Sequence, residues 1–250
     1  ITRSAEFITV LVLGFGAINP IIDMGRPDRL LNVFFHAHLR SPLLWDIMSI
    51  CLYLTASTIY LYIPMIPDLA IVRDAGIKAR WFYRALALGY QDTPPQRARL
   101  ERIIGVLAIA VIPIAVSVHT IIGWIFALTL RPMWHSTIFG PYFVMGAIYS
   151  GIAAILIAMV ILRRAYGLGQ YFKPVHFDYM GRLLLVFSLL WFYFTFAEYL
   201  TAFYGKEPAE MRTFWAKVAG PFAVPFWLMV VCCTVVPVAL MDVAERITKT

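Results

Sequence analysis

The 250 residues are 61% hydrophobic and only 14% charged, which excludes a soluble globular domain, since such a domain fills its core with far less apolar matter. The net charge of +7 lies between apolar runs, where lipid headgroups and positively charged cytoplasmic loops account for it. No basic helix or aromatic stacking surface suited to nucleic acid is present.

A membrane-crossing helix needs roughly twenty apolar residues. Such runs fall at 5–21, 43–66, 103–129, 138–162, 178–203 and 219–241, so the chain reads as an all-α integral membrane protein with about six spanning helices in one transmembrane domain over 1–250. The first run is short and the chain opens on Ile1 rather than Met, the expectation for a piece of a longer protein. Pro113, Pro225 and Pro237 fall inside runs and predict kinks. Cys51, Cys232 and Cys233 also lie within runs, without the spacing that metal ligation uses, so no metal site is expected.

The connection 73–102 carries two signals. Ile77 to Leu86 mixes Trp81, Phe82 and Tyr83 with Lys78, Arg80 and Arg84, as in an amphipathic helix lying along headgroups. Thr93-Pro94-Pro95-Gln96 then offers an N-cap, prolines in the first turn and a capping-box glutamine, which starts the next helix.

Lys and Arg divide unequally between the two sides. One side collects Arg3, Arg73, Lys78, Arg80, Arg84, Arg97, Arg99, Arg102, Arg163, Arg164, Lys173, Arg182, Arg246 and Lys249; the other has Arg26, Arg29, Arg40, Arg131, Lys206, Arg212 and Lys217. The richer side is expected in the cytoplasm and the poorer in the periplasm of a bacterial inner membrane.

An ionisable side chain at mid-span costs about 2.5–3.5 kcal/mol on insertion scales, so each needs a partner or a task. Asp46, His119 and Glu198 all fall in the expected periplasmic half, with Arg26, Trp134 and His135 in the loops above. An acid and a histidine at similar depth suit hydroquinone chemistry, which must accept two phenolic protons. Each residue has a plainer reading as well. His119 can bond a backbone carbonyl, Asp46 can pair with Arg26 or Arg40, Glu198 can bridge helices, and Trp134 can anchor at the interface. A second polar set, Asp68, Arg73, His176, Asp178 and Arg182, lies toward the cytoplasm, with Asp178 and Arg182 spaced to pair on one helix face. Tyr53, Thr55, Ser57 and Thr58 place hydroxyls between the sets, as part of a proton pathway or as packing contacts. Bis-histidine haem is disfavoured because only His119 among the five histidines is deep.

Asp23-Met24-Gly25-Arg26-Pro27 resembles the Asp-Leu-Gly-Arg-Pro signature of the NrfD/polysulfide-reductase family of membrane subunits. Within that family the chain is most similar to the paired membrane subunits of alternative complex III. That likeness rests on Ser41 to Asp46, Ile66 to Ala70 with Arg73-Asp74, Ser117-Val118-His119, Trp134 to Phe139, Pro141-Tyr142-Phe143 and Phe194 to Leu200. It implies an eight- to ten-helix subunit built from four-helix bundles, with no haem or iron–sulfur cluster of its own. Implied partners are a periplasmic iron–sulfur subunit, multihaem c-type cytochrome subunits, a homologous membrane subunit and lipid. Menaquinol or ubiquinol would bind near Trp45, Asp46, His119, Trp134, His135, Tyr142 and Arg26. Asp46, His119 and Glu198 would handle protons, and Tyr53, Ser57, Asp68, Arg73, Asp178 and Arg182 would conduct them. One departure stands out: Thr120-Ile121-Ile122-Gly123 follows His119, where a quinol-reactive member is expected to carry an acid. A non-redox scaffold or proton-conducting paralogue is therefore the alternative, and a transporter a distant third.

Overall fold

A computed structural model describes residues 2–23, 25–75 and 80–240. Its elements, in order, are α1 (Thr2–Asp23), a 3₁₀ turn (Pro27–Arg29), α2 (Asn32–Phe35), α3 (Pro42–Asp74), α4 (Arg80–Leu86), α5 (Pro94–Ala127), α6 (Phe139–Ala165), α7 (Pro174–Gly205), α8 (Pro208–Val218) and α9 (Ala223–Val230). Among the described residues there is no strand, and six helical segments are long and apolar enough to cross a bilayer. The chain is therefore an all-helical integral membrane protein, as its apolar runs predict. The helices outlast those runs, because hydropathy marks where lipid ends and not where backbone hydrogen bonding ends. α3 continues through Pro64 and Pro67 to Asp74, so Asp68 and Arg73 are helical residues and do not follow the helix. Residues 77–79 of the expected interfacial helix, Met24 of the signature, and Arg246 and Lys249 of the charge count lie outside the described residues.

Two compact units are present, Ile1–Val118 and His119–Thr250. In the first, α1 lies along α3, and α4 folds back onto the end of α3. Ile66 and Ala70 meet Ala87 and Tyr90 there, and the Tyr62 hydroxyl donates to the Leu86 carbonyl. The turn after α4 uses left-handed backbone at Leu88, Gly89 and Asp92, the middle one conformationally easy for glycine. α5 begins at Pro94 as expected, but the capping contact differs: Gln96 Oε1 accepts from the Gln91 N–H at 2.8 Å. Arg97 donates to Asp92 at 2.7 Å, which with the Tyr90 hydroxyl holds the Asp92 carboxyl below the usual carboxylate range.

In the second unit, α6 and α7 form the main pair. Gly123 of α5 and Gly140 of α6 allow a close approach. A Cβ on Gly123 would lie 3.2 Å from Gly140 Cα, and one on Gly140 would lie 2.9 Å from Trp124 Nε1. Small residues at such contacts let membrane helices gain van der Waals packing. α8 lies outside every apolar run, although Pro208 at its first turn and Met211, Phe214 and Val218 at helical spacing signal it. Phe214 packs with Met133 and Ala202, which docks α8 against the end of α7.

The last span, Ala223–Leu240, widens into a π-helical turn at Val231–Val235, where the Val236 N–H reaches back to the Val231 carbonyl. Pro237 causes this, since it has no N–H for the carbonyl of Cys233 four residues earlier. Tyr149 of α6 donates to that carbonyl at 3.2 Å and Ser188 of α7 also donates to it. Ser188 is fully buried, so its hydroxyl replaces the missing helical bond inside the packed interior. Tyr149→Phe combined with Ser188→Ala should cost about 1–3 kcal/mol, the penalty of an unsatisfied buried carbonyl. Thermal unfolding in detergent would show it as a drop in Tm larger than either single change produces.

Candidate functional site

The second unit holds a cavity of about 490 Å³ lined by His119 and Ile122 of α5, Phe139, Tyr142, Phe143, Gly146, Ala147 and Ser150 of α6, and Trp191 of α7. Most of its wall is aromatic. Phe139 and Phe143 stack at 6.4 Å, and Phe143 faces the His119 ring at 6.4 Å. On the other side Trp191 lies between Tyr142 at 5.9 Å and Tyr149 at 6.5 Å. Gly146 makes the room: a Cβ there would touch Trp191 Nε1 at 3.4 Å. The result is a slot for a flat ring, with the His119 imidazole, the Tyr142 phenol, the Trp191 indole and the Ser150 hydroxyl as its polar groups.

Tyr142 is held in place. Thr195 Oγ1 donates to the Trp191 carbonyl at 2.9 Å and hydrogen-bonds the Tyr142 hydroxyl at 3.0 Å. Thr195 and Glu198 are both buried on α7, three residues apart and so on one face. Glu198 is 7% exposed; its Oε2 has no hydrogen-bond partner among the described residues, while Ser136, His135, Glu210 and Lys217 lie around it. Burial also pushes the Lys217 ammonium below its usual range, and its Nζ sits 6.0 Å over the Tyr199 ring.

The residues expected at the site divide. His119 and Tyr142 line the cavity. Trp134 is one ring removed, stacked on Phe139 at 5.7 Å. His135 turns to Glu210, with Nε2 to Oε1 at 3.3 Å, and does not line the cavity. With Glu207 these two are the described residues that could share a metal ion, their ligand atoms lying within 4.8 Å of one another. Carboxylates at the start of a helix such as α8 gather without an ion because the helix dipole favours them.

Asp46, Trp45 and Arg26 belong to the first unit. The Trp45 indole donates to the Leu39 carbonyl at 2.8 Å, and Arg26 is exposed. Asp46 makes no ion pair with Arg26 or Arg40 among the described residues, and its Oδ1 is buried without a partner. Asp46, Tyr53 and Ser57 recur along α3 at helical spacing with Ser49 and Tyr60, which makes one polar stripe about 21 Å long. Ser49 and Ser57 are buried. The stripe meets Glu6 of α1, an 8% exposed acid that lies beside Tyr60. Sequence reasoning missed Glu6 because it lies at the edge of a short run. Asp68 pairs with Arg3, Arg73 pairs with neighbouring Asp74 at 2.8 Å, and Asp178 pairs with Arg182 at 3.1 Å, so each of these charges is neutralised locally.

These features define a multi-pass helical membrane protein with an aromatic cleft that presents a histidine and an anchored tyrosine. The chain belongs to the polysulphide reductase NrfD family, whose model matches residues 1–249. It is 32% identical over 143 residues to the membrane subunit of a putative dimethyl sulfoxide reductase from Halobacterium salinarum, covering 57% of this chain and 31% of that protein. To a selenate reductase subunit from Mesobacillus selenatarsenatis it is 25% identical over 256 residues, covering 98% of this chain and 59% of that protein. The matches thus span less than two thirds of either relative. Both names are those of reductase subunits and neither belongs to alternative complex III, so the resemblance holds for the family as a whole.

Proposed function

We propose that this chain is the quinol-oxidising membrane subunit of a respiratory oxidoreductase. It would bind menaquinol or ubiquinol in the aromatic cleft and pass electrons to an iron–sulfur partner. The observation that carries this reading is the joint presence of His119 and Tyr142 on one cavity whose volume lies within the range of ligand sites. Oxidation releases two electrons and two protons from the hydroquinone: the electrons would leave singly to the partner's cluster, and His119 would accept the two phenolic protons in turn, handing on the first before the second arrives. Tyr142, fixed by Thr195, orients the ring through a hydrogen bond. The aromatic walls take the ring faces, and the lipid-facing helices take the isoprenoid tail.

The two named relatives favour a complex whose final acceptor is a small oxidised compound such as a sulfoxide or selenate. The finer resemblance favours an alternative complex III arrangement, with multihaem cytochrome partners and a second, homologous membrane subunit. The distribution of Lys and Arg supports a cleft near the periplasmic face of a bacterial inner membrane, and the α3 stripe with Glu6 supports proton passage through the first unit. A non-redox, scaffolding or proton-conducting role is favoured by one feature, the lack of a carboxylate among the cavity-lining residues.

An azido-quinone photolabelled into the intact complex decides between them. Labelled peptides should come from α5 and α6 around His119 and Tyr142, and Ala147→Phe, which fills the cavity, should abolish the label while the complex still assembles. An intact complex that takes no label there refutes quinol binding in this cleft.

A further inference from the structure

Arg163 and Arg164 stand in the last turn of α6. The helix has 27 residues and therefore rises about 40 Å, more than the roughly 30 Å of a hydrocarbon layer. Its final turn thus reaches the headgroup layer. Tyr166 and Tyr171, 73% and 61% exposed, flank the pair as interfacial aromatic residues do. Here a cavity of about 550 Å³ is lined by Val160, Arg163, Arg164, Gly167, Gly169 and Phe177.

The two cations are uncompensated. Asp178, the acid next in sequence to Phe177, is committed to Arg182 at 3.1 Å, and among the described residues no carboxylate is ion-paired with Arg163 or Arg164. Lys173 adds positive charge at the same connection, and its backbone N–H is taken by His176 Nδ1 at 3.1 Å. The Arg163 guanidinium sits over the Phe177 ring, 5.7 Å from its centroid. That contact holds the guanidinium against the apolar wall of the cavity. Gly167 turns the chain with φ +64, a backbone conformation that favours glycine, and Gly169 lies beside the guanidinium, where a Cβ would be 3.9 Å from Arg163 Nε.

A site with two guanidinium groups at headgroup level and an apolar wall of Val160 and Phe177 below matches one amphiphile. We propose that this cavity binds the phosphodiester headgroup of an anionic phospholipid, with Arg163 and Arg164 on the phosphate and Val160 and Phe177 against the glycerol end of the acyl chains. Arginine suits the task because its planar fork donates two parallel hydrogen bonds to a phosphate, and basic pockets between membrane helices are suited to such headgroups. The proposal does not depend on quinol chemistry.

The test measures association of spin-labelled phosphatidylglycerol with the intact complex in phosphatidylcholine bilayers. Each cation near the surface contributes roughly fivefold, so Arg163→Gln with Arg164→Gln should weaken association by about 25-fold, and Arg164→Gln alone, at an exposed position, by about fivefold. Arg163→Lys with Arg164→Lys keeps the charge but loses the planar fork, so it should recover only part of the binding. Arg99→Gln with Arg102→Gln removes the same charge elsewhere and should change little. Unchanged association in the glutamine variants, or an equal loss in the Arg99 and Arg102 control, overturns the site. Displacement of the lipid by inorganic phosphate at matched concentration overturns the lipid assignment in favour of a free-anion site.

Discussion

Replacing His119 by alanine is expected to lower quinol-dependent electron transfer by about 10²- to 10⁴-fold, the usual contribution of a general base, while the complex remains assembled. The geometry separates this loss from a packing defect. His119 lines the cavity with Phe143 against its ring, so the alanine variant enlarges an existing space and removes the base. His119→Phe keeps the ring contact and removes the proton acceptor, and its rate should fall as far as that of alanine. Quinone photolabelling should persist in the phenylalanine variant, which keeps the aromatic wall. Electron delivery from an artificial donor to the iron–sulfur partner should be unaffected in both. If either variant oxidises quinol at the normal rate, His119 has no part in the chemistry.

The spans were legible in the sequence because lipid selects for apolar side chains, and the same selection exposes the few ionisable residues that break the pattern. His119 and Tyr142 could be picked out, one by its depth and the other by its motif. Trp191, Gly146 and Thr195, which shape the cleft and hold Tyr142, could not be. A tryptophan, a glycine or a threonine on a lipid-length helix carries no mark of which neighbour it faces. The surroundings of His135 were not legible either: a loop histidine beside Trp134 gives no sign of its partner, and only the folded chain shows it turned to Glu210 on α8. α8 itself escaped notice because an amphipathic helix of 11 residues has no long apolar run. Helix ends were also misplaced where charged residues continue a helix into water, as Asp68 and Arg73 do on α3.

Glu198→Gln should lower steady-state quinol oxidation by about ten- to a hundredfold without affecting quinone photolabelling. Trp191, Thr195 and Glu198 follow one face of α7, so the cleft is joined through Tyr142 and Thr195 to a buried carboxyl group. Beyond Glu198 come Ser136, then His135 paired with Glu210 at the exposed end of the unit. A proton passed from the cleft along this series must reside for a time on Glu198, the one carboxyl buried between cavity and surface among the described residues. Glutamine has the same shape and remains polar, but it cannot take up and release a proton, so a purely structural Glu198 would leave turnover intact. The rate in the glutamine variant should also acquire a larger solvent deuterium isotope effect, because proton transfer becomes the slow step. Glu198→Asp, which restores a titratable group on a shorter arm, should recover part of the rate. A glutamine variant with normal turnover and an unchanged isotope effect would mean that protons leave the cleft by another way, and that Glu198 serves α7 only as a bridge to the loop carrying Ser136.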